Sequence, residues 1–375
     1  MKILELEYED KTTGWKLEKT KFDDFTLLVG LSGVGKTKIL DSIKTLSDIA
    51  RDMIFYFTSD IKWSLVFLDV HKKECLWKGE IKIENNKPNL FVSEELTRDN
   101  REIFKRDSEN IFFNGVRTPK LAPYQSALSL LSREEEISPI LYSFNQIQYR
   151  KDIFGHFNKP KFTIILNGNE ATSPNIEDIQ WSYSDVDNKL YQVYQYHPEL
   201  FGKIEEDFIS IFPQVEKLRF RLEQKNQAEN NLSLFNIKRE KTEAVLEMKE
   251  RGVRNWIKIE EVSEGMFKTF VHILEAYLYP EGTVVLIDEF ENSLGVNCID
   301  ILSDIMQEKR HFQFIITSHH PYIINKISPK YWKIVTRKGS VVSVKNADEK
   351  VFARSHHEAF IQLMNLKEYR EGIAA

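Results

Sequence analysis

The sequence predicts an α/β fold in which a phosphate-loop core sheet carries an antiparallel β-layer and an inserted helical lobe. Three observations predict it. Phe25-Thr26-Leu27-Leu28-Val29 is a short apolar run that reads as a buried strand, and it enters a glycine turn, Gly30-Leu31-Ser32-Gly33-Val34-Gly35-Lys36-Thr37, followed by a helical repeat. Thr283-Val284-Val285-Leu286-Ile287 is a second apolar, β-branched run, and it ends in Asp288-Glu289. Such near-continuous apolar strands belong to a parallel sheet covered on both faces. Between the two, from Trp63 to Phe113, the apolar period is 2 and turn residues separate the segments, which makes an antiparallel meander.

Taken in order, residues 1–29 read as strands: Lys2 to Tyr8 alternates, Trp15 to Phe22 follows the turn at Thr13-Gly14, and Phe25 to Val29 enters the glycine turn. That turn fits G-x-x-x-x-G-K-[ST] at every fixed position. A strand, a glycine turn and a helix N-terminus make an anion site, because glycines let backbone N–H groups close around phosphate oxygens and the helix dipole favours negative charge. Gly30, Ser32, Gly33, Val34, Gly35, Lys36 and Thr37 are therefore the expected nucleotide-binding residues. Lys36 would reach the β- and γ-phosphates, and the Thr37 hydroxyl would ligate Mg²⁺. The helix that follows carries its apolar stripe through Ile39, Leu40, Ile43, Leu46, Ile49, Ala50, Met53 and Ile54, to about Phe55.

The β-layer has strand candidates at Ser64 to Val70, Glu74 to Ile83, Asn89 to Leu96 and Glu102 to Phe113, with a turn at Asn85-Asn86-Lys87-Pro88. Residues 117–150 return to helical character, in Tyr124 to Leu131 and Ile137 to Tyr149. Phe162 to Leu166 is the clearest strand of a mixed stretch. Leu190 to Phe212 is helical, broken near His197-Pro198 and ended by Pro213. Leu218 to Leu222 alternates, and Gln224 to Leu232 is polar and reads as a surface loop. No internal repeat is visible, and no heptad pattern persists long enough for a coiled coil. The expected organisation is an N-terminal part of the core over residues 1–115, an inserted lobe over 116–255, a C-terminal part of the core over 256–345 and a helical tail over 346–375.

Composition narrows the class. The chain has 375 residues, 42% hydrophobic and 29% charged, as a soluble globular protein of two domains or one with an insertion has. No run approaches the roughly 18 apolar residues that span a bilayer. The first residues alternate and carry acids where a signal peptide is apolar, so a cytoplasmic location with no membrane partner is expected. Cys75 and Cys298 are far apart and lack zinc or disulfide spacing. A formal charge of −5 argues against a protein that coats nucleic acid.

Asp288 and Glu289 end a strand at the carboxyl edge of the sheet, where ligands of open α/β sheets bind. Asp288 can hold Mg²⁺ through water, and Glu289 can orient, or take a proton from, a water attacking the γ-phosphate. Gly265 to Leu274 has a helical pattern with Ser263 as its N-cap, and Phe312 to Ser318 is another buried strand, with His319 at its end. In order, Gly30–Thr37, Val262-Ser263-Glu264-Gly265-Met266, Ile287-Asp288-Glu289 and Thr317-Ser318-His319 resemble the motif set of ATP-binding-cassette (ABC) ATPases. Ser263 and Gly265 stand at the key places of the signature motif, while Glu264 and Met266 replace the usual glycine and glutamine of transporters. The chain is most similar to the soluble branch that includes RecF and SMC proteins, and to the ABC-type AAA family ATPases of anti-phage systems such as Septu, PARIS, Lamassu and the OLD nucleases. The likeness covers about residues 1–55 and 255–340 well.

The resemblance implies an ABC ATPase head that uses ATP and Mg²⁺. It implies that Ser263 and Gly265 meet the γ-phosphate held by a second subunit, hence a head-to-tail homodimer or higher homo-oligomer. It makes Glu291-Asn292-Ser293-Leu294 the D-loop, and His319 rather than His320 the switch histidine. It also calls for a Q-loop glutamine, with Gln125, just before a helix, as the candidate and Gln146 and Gln148 as rivals. Lys36 and Ser263 are 227 positions apart, more than in transporter cassettes. No nuclease motif is evident after His320. The tail has a hairpin candidate, Trp332 to Val344, and a helix candidate, Ser355 to Tyr369, whose adjacent His356 and His357 cannot face the same way. The expected function is an ATPase that regulates a separate effector protein, a nuclease, in anti-phage defence. The alternative is a RecF-like DNA-binding ATPase of repair or replication. Its support is eleven Lys or Arg against seven Glu from Glu216 to Lys258, and five Lys or Arg with no acid from Lys326 to Lys338.

Overall fold

Short apolar strands flanked by glycine turns assemble here into a parallel core, and the alternating segments extend its edge. The computed structural model describes residues 1–53, 58–83, 90–150, 162–166, 173–182, 184–225, 241–292, 312–347 and 356–372. The chain divides into two compact units, one of Met1–Asp152, Glu281–Glu291 and Arg310–Ala375, the other of Ile153–Pro280 and Asn292–Lys309.

In the first unit, numbered along the whole chain, the strands are β1 (Lys2–Asp10), β2 (Trp15–Lys21), β3 (Phe25–Val29), β4 (Ile61–Leu68), β5 (Glu74–Lys82), β6 (Leu90–Arg98), β7 (Arg101–Arg106), β8 (Ile111–Phe113), β9 (Val116–Arg117) and β10 (Ile147–Arg150). β15 (Val284–Ile287), β16 (Gln313–Thr317), β17 (Trp332–Lys338) and β18 (Val341–Asn346) complete it. They form a 14-stranded sheet in the order β10-β15-β16-β3-β17-β18-β2-β1-β4-β5-β6-β7-β8-β9. From β10 to β17 all neighbours are parallel, and from β2 to β9 all are antiparallel. The fold class read from the sequence is thus present: a phosphate-loop core sheet and an antiparallel β-layer in one continuous surface.

Helix α1 (Lys36–Ala50) buries Ile39, Leu40, Ile43, Leu46 and Ile49, each at most 2% exposed. Each such side chain contributes about 1.5–3 kcal/mol of burial. The helix stops at Ala50, short of the expected Phe55. Asp52 takes a left-handed φ of 56°, and Met53 is 59% exposed, so the apolar stripe loses its support there. Ile54 and Phe55 lie outside the described residues.

The inner face of the β-layer packs as an aromatic cluster. Trp63 and Trp77 meet edge-on at 5.0 Å, and Phe144 of α3 (Ser138–Phe144) lies 5.2 Å from Phe67 and 5.3 Å from Trp77. Under it, the buried Glu94 carboxylate accepts from Trp77 Nε1, Ser126 Oγ and Ala127 N, and so ties the layer to the short helix α2 (Ala127–Leu130). One strand expectation and one helix expectation change. Glu102 to Phe113 is two strands, because Asp107 Oδ1 accepts from Glu109 N and Asn110 N, both at 2.8 Å, and turns the chain. Ile137 to Tyr149 is helical only to Phe144. Val284 N donates to Gln146 O, and residues 147–150 then join the parallel sheet as its edge strand.

The second unit is an α/β lobe. Its strands β11 (Thr163–Leu166), β12 (Val215–Lys225), β13 (Lys241–Glu250) and β14 (Trp256–Lys258) form an antiparallel sheet. Its helices are α4 (Ile176–Trp181), α5 (Val186–Tyr196), α6 (Pro198–Ile211) and α7 (Glu264–Leu278); Phe267 and Phe270 of α7 each meet Phe162 edge-to-face, and Phe208 of α6 meets Phe270 in the same way. The break at His197-Pro198 falls between α5 and α6 as expected. β12 extends to Lys225, into the polar stretch read as a loop, and the rest of that stretch lies outside the described residues.

Candidate functional site

The parallel strands β15, β16 and β3 are adjacent in the sheet, so the segments leaving their carboxyl ends converge. From β3 comes the glycine turn. Gly30, at φ 154°, passes so close to β17 that a Cβ would stand 2.6 Å from the Val335 carbonyl oxygen, and no other residue fits. Gly35 caps α1 at φ 111°, with Val342 Cγ2 and Trp15 Nε1 3.1 and 3.4 Å from where its Cβ would be. Ser32 and Gly33 are exposed, while Val34 is buried. The turn is therefore a backbone-lined cradle at the start of α1, suited to an anion.

Lys36 is 4% exposed, and its ammonium donates to the carbonyls of Gly30 at 2.7 Å and Leu31 at 2.9 Å. Burial lowers its pKa to about 8, against the opposing pull of Asp288, Glu291 and Glu289. Its Nζ stands 3.4 Å from His319 Nδ1. An ammonium can only donate, so Nδ1 accepts and the ring proton is on Nε2. Burial first, and then the Lys36 charge, push the His319 pKa below its ordinary value, which keeps the ring neutral at pH 7.

From β15 come the acids. Asp288 is nearly buried, and its Oδ1 accepts from Thr37 Oγ1 at 3.1 Å and from Thr317 Oγ1 at 2.7 Å. Glu289 is exposed and has a left-handed φ of 49°, rare for a residue with a side chain. Its N–H donates to the same Thr317 hydroxyl at 2.8 Å. Thr37 and Asp288 are hard oxygen donors at the distance of a shared ligand shell, and they fit Mg²⁺, which binds through a few protein oxygens and substrate phosphates.

The first unit thus brings together Gly30, Ser32, Gly33, Val34, Gly35, Lys36, Thr37, Asp288, Glu289 and His319. His320 turns elsewhere: its Nδ1 accepts from Tyr322 N and caps the helix Pro321–Lys326. Gln125 is not brought to the phosphate loop. Its amide donates to Asp52 Oδ2 at 2.6 Å, beyond the far end of α1, a helix of 15 residues. That length puts it about 22 Å from the loop. Gln146 lies at the opposite edge of the core sheet, where its Oε1 accepts from the Met1 amine at 3.0 Å. Gln148 is on β10, next to the β15 strand. Ser263 and Gly265 stand in the second unit, where the Ser263 hydroxyl accepts from Met266 N and caps α7 as expected. Ser293 and Leu294 of the expected D-loop lie outside the described residues.

Three residues make contacts that the sequence does not show. Thr317 joins both acids, Glu291 accepts from the His319 N–H at 2.6 Å, and the Tyr149 hydroxyl donates to Asp41 Oδ1 of α1 at 2.6 Å. Thr317 and Glu291 lie within named motifs that assign them none of these contacts. Tyr149 shows only once residues 147–150 are known to be a strand beside β15.

No curated protein matches the chain by sequence. Among solved structures it resembles an Smc head bound to the C-winged helix domain of ScpA, at a TM-score of 0.50 and 17% identity over 93% of this chain and 99% of that one. The SMC head domain from Thermotoga maritima aligns at 0.44 and 15% over 93% of this chain and 100% of that one. A Smc head with an extended coiled coil, bound to the C-terminal domain of ScpA derived from Pyrococcus furiosus, aligns at 0.42 and 16% over 92% and 96%. The first shows the fold, that of an Smc head. A family profile matches residues 25–325, a span that takes in the phosphate loop, Asp288, Glu289 and His319. The chain therefore belongs to the family described as "AAA domain, putative AbiEii toxin, Type IV TA system".

Proposed function

We propose that this chain is an ABC-type ATP hydrolase whose nucleotide-driven pairing controls a separate effector, a nuclease, in bacterial anti-phage defence. The observation that carries the reading is the convergence of Lys36, Thr37, Asp288, Glu289 and His319 at the ends of three adjacent parallel strands, with Thr37 Oγ1 3.1 Å from Asp288 Oδ1. Backbone N–H groups of Gly30–Thr37 hold the phosphates, and Lys36 exchanges the carbonyls of Gly30 and Leu31 for phosphate oxygens. Thr37 and Asp288 would hold Mg²⁺, which when bound would offset the negative charge of the phosphates. Glu289 orients the attacking water and accepts its proton. His319, neutral with its proton on Nε2, donates to the γ-phosphate as charge develops there.

Ser263 and Gly265, at the N-terminus of α7, complete the site from a second copy of the chain. The effector and the defence role rest on the resemblance to anti-phage ATPases and on a family description that names an AbiEii toxin of a Type IV TA system. We place the protein in the cytoplasm. Among the described residues no helix is long and apolar enough to cross a membrane.

The RecF-like reading needs free basic surface, and part of that charge is engaged. Arg219 and Arg221 both pair with Glu247, and Lys333 pairs with Asp23. Regulation of a partner is therefore preferred to direct DNA binding. Glu289→Gln tests the chemistry. It should bind ATP as wild type does, turn over about 100-fold or more slowly, and accumulate ATP-bound dimers. Wild-type turnover in this variant would remove Glu289 from the mechanism.

A further inference from the structure

Glu291 has no part in that chemistry, yet it holds a residue that does. Three successive residues stitch the segment after β15 to the end of β16 and the residues that follow it. Glu289 N donates to Thr317 Oγ1 at 2.8 Å, Phe290 N donates to Thr317 O at 3.0 Å, and Glu291 Oε1 accepts from His319 N at 2.6 Å. The first two bonds end on Thr317. The third ends on the backbone of the histidine whose Nδ1 faces Lys36 at 3.4 Å.

A bond from a main-chain N–H to a carboxylate is charge-assisted and stronger than one between neutral groups. The other carboxylate oxygen, Oε2, is buried and has no hydrogen-bond partner among the described residues. A half-satisfied buried carboxylate is costly. Such a cost calls for an explanation at the level of function. The carboxylate also adds negative charge beside both Lys36 and His319.

We infer that Glu291 is a positioning residue, which fixes the main chain at His319 so that the imidazole stands beside Lys36 and within reach of the γ-phosphate. The inference deepens the proposed ATPase reading and rests on it. Glu291 touches no reacting atom, so its loss acts on turnover through His319 and leaves the phosphate cradle in place.

The test compares Glu291→Ala, Glu291→Gln, His319→Ala and the double variant Glu291→Ala/His319→Ala in the full chain, measuring ATP turnover and binding of a non-hydrolysable ATP analogue. Lys36→Ala and Glu289→Gln serve as references. Partners that orient metal-bound histidines are worth about 10–100-fold; taking the same size for His319, Glu291→Ala should fall by about that factor in kcat with analogue affinity within about threefold. Glu291→Gln keeps an oxygen acceptor and should recover most of kcat. The double variant should be no slower than His319→Ala alone, because residues that act through one group are not additive. Full activity in Glu291→Ala, while Glu289→Gln and His319→Ala are impaired, would overturn the inference and leave the ATPase reading standing. So would multiplicative losses in the double variant. If Glu291→Ala folds poorly, Glu291→Gln decides: an unrescued kcat in folded protein overturns the positioning role. If Lys36→Ala and Glu289→Gln turn over ATP like wild type, the ATPase reading itself fails, and this inference with it.

Discussion

A glycine inside a strand weakens it unless something needs the space, and at Gly79 the Trp63 ring does. The two residues are directly opposed across β4 and β5, and a Cβ on Gly79 would stand 2.3 Å from the indole. The indole cannot give way, because it packs against Trp77 at 5.0 Å and Phe91 at 6.4 Å. Gly79→Ala should therefore destabilise the first unit by about 1–3 kcal/mol, the usual cost of overpacking a core. Urea unfolding checks it, and a change within about 0.5 kcal/mol would mean that the sheet lets the ring shift freely. The same scale explains which site residues were legible. Lys36, Thr37, Asp288 and Glu289 sit in short motifs whose spacing already encodes their chemistry. Gln125 has a suitable place before a helix, but nothing local shows that Arg106 donates to its carbonyl while Asp52 holds its amide. The contacts of Glu291 with His319 and of Tyr149 with Asp41 join segments distant in sequence, so no local pattern shows them.

At the scale of elements, α5 carries a lysine on its buried side. Lys189 is 7% exposed, and its ammonium donates to Gln180 O at 2.6 Å. Burial lowers its pKa from 10.5 to about 8. The unfolded chain thus holds this proton more tightly than the folded one, and the cost of burying the charge is fully present below pH 8. It fades as pH rises from about 8 to 10.5, so stability attributable to this group increases across that window. The whole difference corresponds to about 3 kcal/mol. Lys189→Met should raise stability at pH 7 by about 1–3 kcal/mol, less whatever the unpaired carbonyl costs, and should flatten the rise above pH 8. Denaturant unfolding at pH 7 and pH 9.5 measures both, and a Met variant less stable at both pH values would refute the cost assigned to Lys189. Helices such as α5 and α6 were legible because each keeps one apolar stripe over three or more turns. β10 was not, because four residues cannot distinguish a strand from the end of a helix, and only pairing with β15 decides the matter.

At the scale of the whole molecule, the parallel core and β-layer could be anticipated from period and motif, but the completeness of the site could not. The first unit supplies Lys36, Thr37, Asp288, Glu289 and His319, and the proposed function assigns Ser263 to the opposing copy. In a symmetric pair each phosphate loop then meets the other chain's Ser263, which allows complementation between two inactive variants. Lys36→Ala removes the phosphate contact, and Ser263→Glu sets a carboxylate against the γ-phosphate, so each variant alone should be nearly inactive. Mixed in equal amounts under conditions that let dimers exchange, half the dimers pair one of each. In such a dimer one site carries both defects and the other carries neither. About a quarter of all sites are then intact, and the mixture should recover about a quarter of wild-type turnover if the two sites work independently. Recovery near zero would mean that both residues serve one site within a single chain, or that a dimer fires only when both of its sites are intact. Sedimentation of the Glu289→Gln variant with ATP separates these outcomes: an ATP-dependent dimer without complementation indicates coupled sites, and a monomer removes the shared site altogether.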